Sequence, residues 1–303
     1  MRALLASVAL VLAAPGVAHG AGGGLTAGFG GEGATRPGNP HTYVTLAAGR
    51  ASVLLAINKG SGAIDRRRRL PGLFGAPQVT HDGAKTGLSL DGRTLVLSDV
   101  PHAWPIRRTR LLVLDAPRLQ VRQRIDLQGW YSVDGLSPDG RVLFLVHYLT
   151  PSDASEVVAY DRADGSRRVV VKLSGRAVSR VTSGGSEYTL YARRDAPFVQ
   201  ALDTQAGTAE RIALPRPVER DLSTAKLQLD GDDIAIGTLA TLDPRTRRVT
   251  LVGADREDAV PWPLIGLGLA ALAAIVIVGL RRRPAQQGDD LELTVHVDEG
   301  GTL

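Results

Sequence analysis

Apolar residues in this chain come in short runs, each launched from a tight polar turn. Ser137-Pro138-Asp139-Gly140 leads into Val142–Val146, and Leu90-Asp91-Gly92 leads into a second run ending at Leu97. Ser suits the first position of such a turn, Pro fixes φ at the second, and Gly takes the last. Taking the turn glycine as a marker gives Gly49, Gly92, Gly140, Gly185 and Gly231, spaced by 43, 48, 45 and 46 residues. A second marker follows the first: Asn58, Asp115, Asp161, Asp203 and Asp243 each close an apolar strand just before a polar turn. Both markers recur in each of the five units.

Each unit therefore predicts four strands. Strand A precedes the glycine turn and strand B follows it, while C and D form a second hairpin around the Asn or Asp. The B strands "SVLLAI" and "VLFLV" are continuous apolar runs rather than alternating ones, as expected of a strand covered on both faces. The D strands "QVRQRIDL" and "SRRVVV" are more polar, which suits an outer edge. No long helical periodicity intervenes before Asp258. The expected fold is all-β, a β-propeller of about five four-stranded blades spanning residues 41–255. A six-bladed closure, a partly open array and a plain β-sandwich are the alternatives. The first unit is irregular, with Ala48-Gly49 in place of Asp-Gly and strand A missing. In the fifth unit, B and C are almost fused.

The ends of the chain carry different patterns. Arg2 and the apolar stretch Ala3–Ala14 precede Pro15-Gly16 and Ala18-His19-Gly20, so residues 1–20 are read as a secretory signal peptide. Residues 21–40 are Gly-rich and read as a linker. Residues 260–280 contain no charge and as a helix would be about 31 Å long, the thickness of a bilayer core. Trp262 opens this stretch and Arg281, Arg282 and Arg283 follow it, which marks residues 281–303 as a cytoplasmic tail. The expectation is a single-pass cell-membrane protein whose N-terminal domain is extracytoplasmic.

Composition narrows the picture. There is no Cys, so the exported domain must hold itself by burial alone. Set aside the leader and the tail, and 32 Lys and Arg stand against 26 Asp and Glu. Such a surplus favours anionic envelope polymers or headgroups, with ordinary solubility charge as the competing reading. Nucleic acid is not an expected partner in this compartment.

The residues "LSPDGRVLFLV…VVAYDRADGSRRVVVKL" resemble the repeat of bacterial lactonase-type, WD-like β-propeller proteins. The resemblance is best over residues 84–174 and weak over 41–70. It implies a propeller scaffold, and it raises the alternative of an envelope hydrolase with carboxylates and His at a channel mouth.

Catalytic motifs are missing from the sequence itself. There is no GxSxG, HExxH, P-loop or Cys nucleophile. Gly28, Gly30 and Gly33 match a dinucleotide spacing but lack the strand before and the helix after that such a site needs. The expectation is a non-enzymatic binding module with no cofactor and no metal. Its partner is a protein or a cell-envelope ligand; signalling through the acidic tail is a further alternative. The connections between repeats are long and gather aromatic and His side chains: Phe74, His81, His102, Trp104, Trp130, Tyr131, His147 and Tyr148. Connections on a rigid scaffold are where binding usually sits. The competing reading makes Trp130 and Tyr131 core residues between blades.

Overall fold

The computed structural model describes residues 27–101, 103–149, 154–193, 196–215 and 222–252. The expected signal peptide, membrane span and tail lie outside these residues. Among the described residues every regular element is a strand, and no helix is long and apolar enough to cross a membrane.

The strands form five antiparallel sheets in chain order. Sheet 1 contains β2 (His41–Ala48), β3 (Ala51–Asn58) and β4 (Ile64–Pro71). Sheet 2 runs β5 (Phe74–Pro77), β6 (Thr94–Asp99), β7 (Arg108–Asp115) and β8 (Gln120–Gln128), with the short β1 (Ala27–Gly28) paired to β5. Sheet 3 comprises β9 (Trp130–Leu136), β10 (Val142–Tyr148), β11 (Ala154–Asp161) and β12 (Arg167–Ser174). Sheet 4 comprises β13 (Arg176–Ser183), β14 (Ser186–Ala192), β15 (Phe198–Asp203) and β16 (Thr208–Ala213). Sheet 5 comprises β17 (Leu227–Asp230), β18 (Asp233–Ile236), β19 (Ala240–Leu242) and β20 (Val249–Leu251).

The turn chemistry follows the sequence. In sheet 3 the Gly140 N–H donates to the Ser137 carbonyl at 2.8 Å, and the Asp139 carboxylate accepts from Ser137 Oγ and the Arg141 N–H. Sheet 2 repeats this set with Ser89, Asp91, Gly92 and Arg93. The two turns are stitched together by the Asp91 N–H donating to the Pro138 carbonyl. The second marker holds in every sheet. The side-chain oxygens of Asn58, Asp115, Asp161, Asp203 and Asp243 each accept from backbone N–H groups two or three residues on, so each caps a hairpin from within.

Sheet 1 departs from the expected frame. Gly49 joins β2 to β3, whose far end is Asn58, so this glycine turn is a B–C hairpin. Strand A is supplied by the Gly-rich segment. Ala34 exchanges two hydrogen bonds with Tyr43, and the Asn39 N–H donates to the Arg36 carbonyl in the turn that follows. The segment read as a linker therefore belongs to the fold from Ala27 onward. In sheet 5, B and C are short but separate strands.

Each sheet packs on the next. Leu54 and Ala56 of sheet 1 meet Leu95 and Leu112 of sheet 2. Val113 meets Leu143 and Leu145, and Phe144 and Val157 meet Tyr191 and Phe198. Leu190 and Val199 meet Ile234 and Leu242. Alternate residues of β10 thus enter two different cores, which is why "VLFLV" carries no polar break. Among the described residues no core joins sheet 5 back to sheet 1. The outer face of sheet 5 is the row Gln228, Ala235, Thr241 and Thr250, whereas that of sheet 1 carries Val53, Leu55 and Ile57.

The first strands of the sheets lie side by side. The Leu227 N–H of β17 donates to Ser179 of β13, and Arg180 of β13 reaches Asp134 of β9. After β5 the chain leaves sheet 2 at residues 78–87 and rejoins it at Leu88, bridged to Leu95. This excursion crosses to β13, where the His81 and Asp82 N–H groups donate to the Ala177 and Val178 carbonyls.

Candidate functional site

At the end of sheets 2 and 3 opposite the glycine turns, four aromatic rings and a histidine come together. Trp130 starts β9 and Tyr148 ends β10, and the two are cross-strand partners. Their ring centroids lie 4.3 Å apart. Trp104, from the β6–β7 connection, meets Trp130 edge-on at 4.8 Å and is 55% exposed. One residue along, Tyr131 and His147 point to the other face and stack at 4.3 Å with an interplanar angle of 10°. His147 Nδ1 lies 3.2 Å from Glu156 Oε1. The connection is held by Thr109, whose Oγ1 donates to the Gly129 carbonyl and accepts from the Tyr131 N–H.

Two polar atoms in this group are buried without a hydrogen-bond partner: Trp130 Nε1 and the Tyr148 hydroxyl. Burial pushes the Tyr148 hydroxyl well above its ordinary pKa, and the nearby Asp134 charge adds to the rise. The group thus sets one exposed indole, Trp104, over a buried aromatic base.

The structure brings together Trp104, Trp130, Tyr131, His147 and Tyr148. It places two of the expected residues elsewhere. Phe74 is buried between sheets 1 and 2, so it is a core residue rather than a surface contact. His81 sits on the excursion, with its Nδ1 2.8 Å from Arg176 Nη2. His102 lies outside the described residues. Trp130 and Tyr131 are both buried, as the core reading expects, and each stacks or packs against a further ring, Trp104 and His147 respectively.

A second group was not anticipated. Arg180 donates through Nη1 to Asp134 Oδ1 and through Nη2 to Glu187 Oε2, both at 3.0 Å. Arg36 pairs with Glu187 from the other side and donates to the Leu88 carbonyl and Thr182 Oγ1, each at 2.9 Å. Gln200 Nε2 donates to Asp134 Oδ2. Burial pushes the Asp134 carboxyl up, and Arg180 offsets this only in part. Glu187 goes the other way: burial raises it, but Arg36 and Arg180 together hold it below its usual value. The sequence held a signal for this network, namely charges inside strands that are otherwise apolar or small, as in "YSVDGL" and "RAVSRV". Among the described residues, no group of three or more His, Cys, Asp or Glu is gathered as a metal site would require.

No family model matches the chain, and no curated protein matches it. Solved structures do align with it. TolB from Acinetobacter baumannii is similar over 69% of this chain and 51% of its own, at 16% identity and a TM-score of 0.42. BamB from Moraxella catarrhalis is similar over 70% and 61%, at 15% identity and a TM-score of 0.39. The β-propeller domain of the Trilobed protease from Pyrococcus furiosus, described by its open velcro topology, is similar over 72% and 68%, at 12% identity and a TM-score of 0.40. The chain spans about half the length of the TolB chain. At these scores the likeness carries no argument, and the fold rests on the sheets and their interfaces.

Proposed function

We propose that this chain is an extracytoplasmic β-propeller, anchored by residues 260–280, that binds a protein or cell-envelope ligand at the Trp104–Trp130–Tyr148 face. The observation that carries the reading is the edge-on contact of an exposed Trp104 with a buried Trp130. An exposed indole on a rigid, buried base loses little conformational freedom on binding and presents a large contact area. The anchoring part of the proposal rests on the charge-free stretch and its three following arginines.

A photo-crosslinking residue at position 104 of the full chain, in intact cells, tests the binding face. A discrete adduct is expected there and not at Arg118, which lies in the exposed β7–β8 turn at the opposite end of sheet 2. Adducts at Arg118 alone count against it. Tags at positions 22 and 300 test the topology: the first is expected to be accessible outside and the second protected.

A further inference from the structure

The outer edges of sheets 1 and 2 meet in a seam lined by arginine. β4 and β8 are the last strands of their sheets, so each has one unpaired edge. Farther in, the two sheets share a core that includes Leu54, Ala56, Leu112 and Leu114. Cross-strand partners lie on the same face of a sheet, so the register gives what stands one strand farther out. Leu54 is followed by Arg68, Ala56 by Arg66, Leu112 by Arg124 and Leu114 by Val121. The walls change from wholly apolar to three arginines and a valine within one strand. The repeat does not impose this. Between sheets 4 and 5 the corresponding outer positions are Ile212, Glu210, Val249 and Leu251.

These arginines have little within the chain to hold. Arg66 reaches across the seam, and its guanidinium donates to the Pro117 carbonyl in the β7–β8 turn. Arg68 and Arg124 make no hydrogen bond or ion pair among the described residues. The nearby carboxylates are engaged: Asp65 with His41, Asp115 with Arg118 and Arg122, and Asp126 with Arg108. Arg66 and Arg124 are exposed and Arg68 is half-buried, so the seam is open to solvent at its mouth. Like charges on facing walls repel, and an anion laid between them turns that repulsion into attraction.

We infer that this seam binds a linear polyanion, a chain bearing phosphodiester or carboxylate groups, laid between Arg68 and Arg124. Packed sheets stand about 10 Å apart. A cleft of that width takes a single extended chain and not the plane of a bilayer. Residues two apart in a strand are separated by about 7 Å, so Arg66 and Arg68 meet successive charges of the chain rather than one. The planar guanidinium fork suits either oxyanion. The inference is independent of the aromatic face and stands or falls without it.

Fluorescence anisotropy of labelled inorganic polyphosphate, and separately of labelled polygalacturonate, titrated with the full-length protein at low ionic strength tests this. Saturable binding is expected in at least one arm, and the tighter arm identifies the phosphate or the carboxylate chain. Added salt is expected to weaken it. The double variant Arg68→Gln, Arg124→Gln is expected to bind about tenfold or more weakly. Arg93→Gln, Arg248→Gln makes the same change in net charge at two exposed arginines of sheets 2 and 5, and is expected to bind within about twofold of wild type. Equal losses in the two double variants would mean attraction by net charge alone and would overturn the inference. So would a wild type that binds neither polymer, including one that binds only vesicles of anionic phospholipid. Arg124→Gln alone changes one exposed side chain, and is expected to weaken binding several-fold with an unchanged melting temperature. It keeps the test decisive if the double variant fails to fold.

Discussion

Arg180 on β13 and Asp134 on β9 are joined at 3.0 Å, with both side chains buried, and so tie sheet 4 to sheet 3 through their first strands. Each has a further partner, Glu187 for Arg180 and Gln200 for Asp134. The network supplies positional specificity more than net energy, because taking these charges out of water costs about what their pairing returns. Removing one member is a different matter. Arg180→Met leaves two buried carboxylates facing fewer cations, and is expected to cost about 3–5 kcal/mol. Arg245 pairs with Asp232 where both are 81% exposed, and Arg245→Met is expected to cost under about 1 kcal/mol. Urea unfolding of the two variants measures the contrast; equal losses would contradict it.

The Gly-rich segment makes a second test. Arg36 is 8% exposed and meets Leu88, Thr182 and Glu187. A chain that begins at residue 41 loses strand A of sheet 1 and leaves Glu187 with one arginine instead of two. It is expected to unfold at lower urea than a chain that begins at residue 27. A true linker would leave the two midpoints equal.

Two turn glycines with the same local grammar are expected to differ. Gly140 has φ +70°, and a Cβ there would overlap Thr94 of the neighbouring sheet. Gly231 has φ +63° and nothing within 4 Å of an added Cβ. Gly231→Ala is expected to cost about 1–2 kcal/mol, the backbone penalty alone. Gly140→Ala adds steric overlap of about 1–3 kcal/mol. Equal midpoints for the two variants would mean that the turns do not pack on neighbouring sheets as described.

These cases show what the sequence exposes and what it hides. The hairpin markers from Asn58 to Asp243 were legible because an Asx side chain caps its own turn, a local interaction written in a few adjacent residues. Gly49 misled because a B–C hairpin uses the same glycine as an A–B turn, and the frame shows in β3 ending at Asn58 and in the pairing of Ala34 with Tyr43. The aromatic gathering was legible in outline, since its members sit on neighbouring connections. Phe74 could not be separated from them because the chain turns into β5 at that residue. Arg36, Asp134 and Glu187 lie far apart in sequence and meet only when Arg36 and Arg180 join the sheets. No local pattern reports such a meeting.

Acid should destabilise the protein through its turns. Hydrogen bonds from Ser137 lower the Asp139 pKa, a contact from Arg122 lowers Asp115, and one from Thr246 lowers Asp243, each from a usual value of 3.8. The folded pKa is then below the unfolded one, so the stabilisation is present above the unfolded value and is lost as pH falls through the folded value. The urea midpoint is expected to drop between about pH 5 and about pH 3. A midpoint that holds or rises over that interval would contradict the assignment.

The measurement that bears most directly on the proposed role is the affinity of full-length Trp104→Ala for isolated cell envelopes, compared with wild type. Trp104 contributes an edge-on ring contact worth about 0.5–1.5 kcal/mol to folding, so the variant is expected to stay folded. Its affinity is expected to fall about tenfold or more, as for a central aromatic anchor, while Arg118→Ala binds as wild type does. Wild-type affinity in the Trp104→Ala protein would contradict the account.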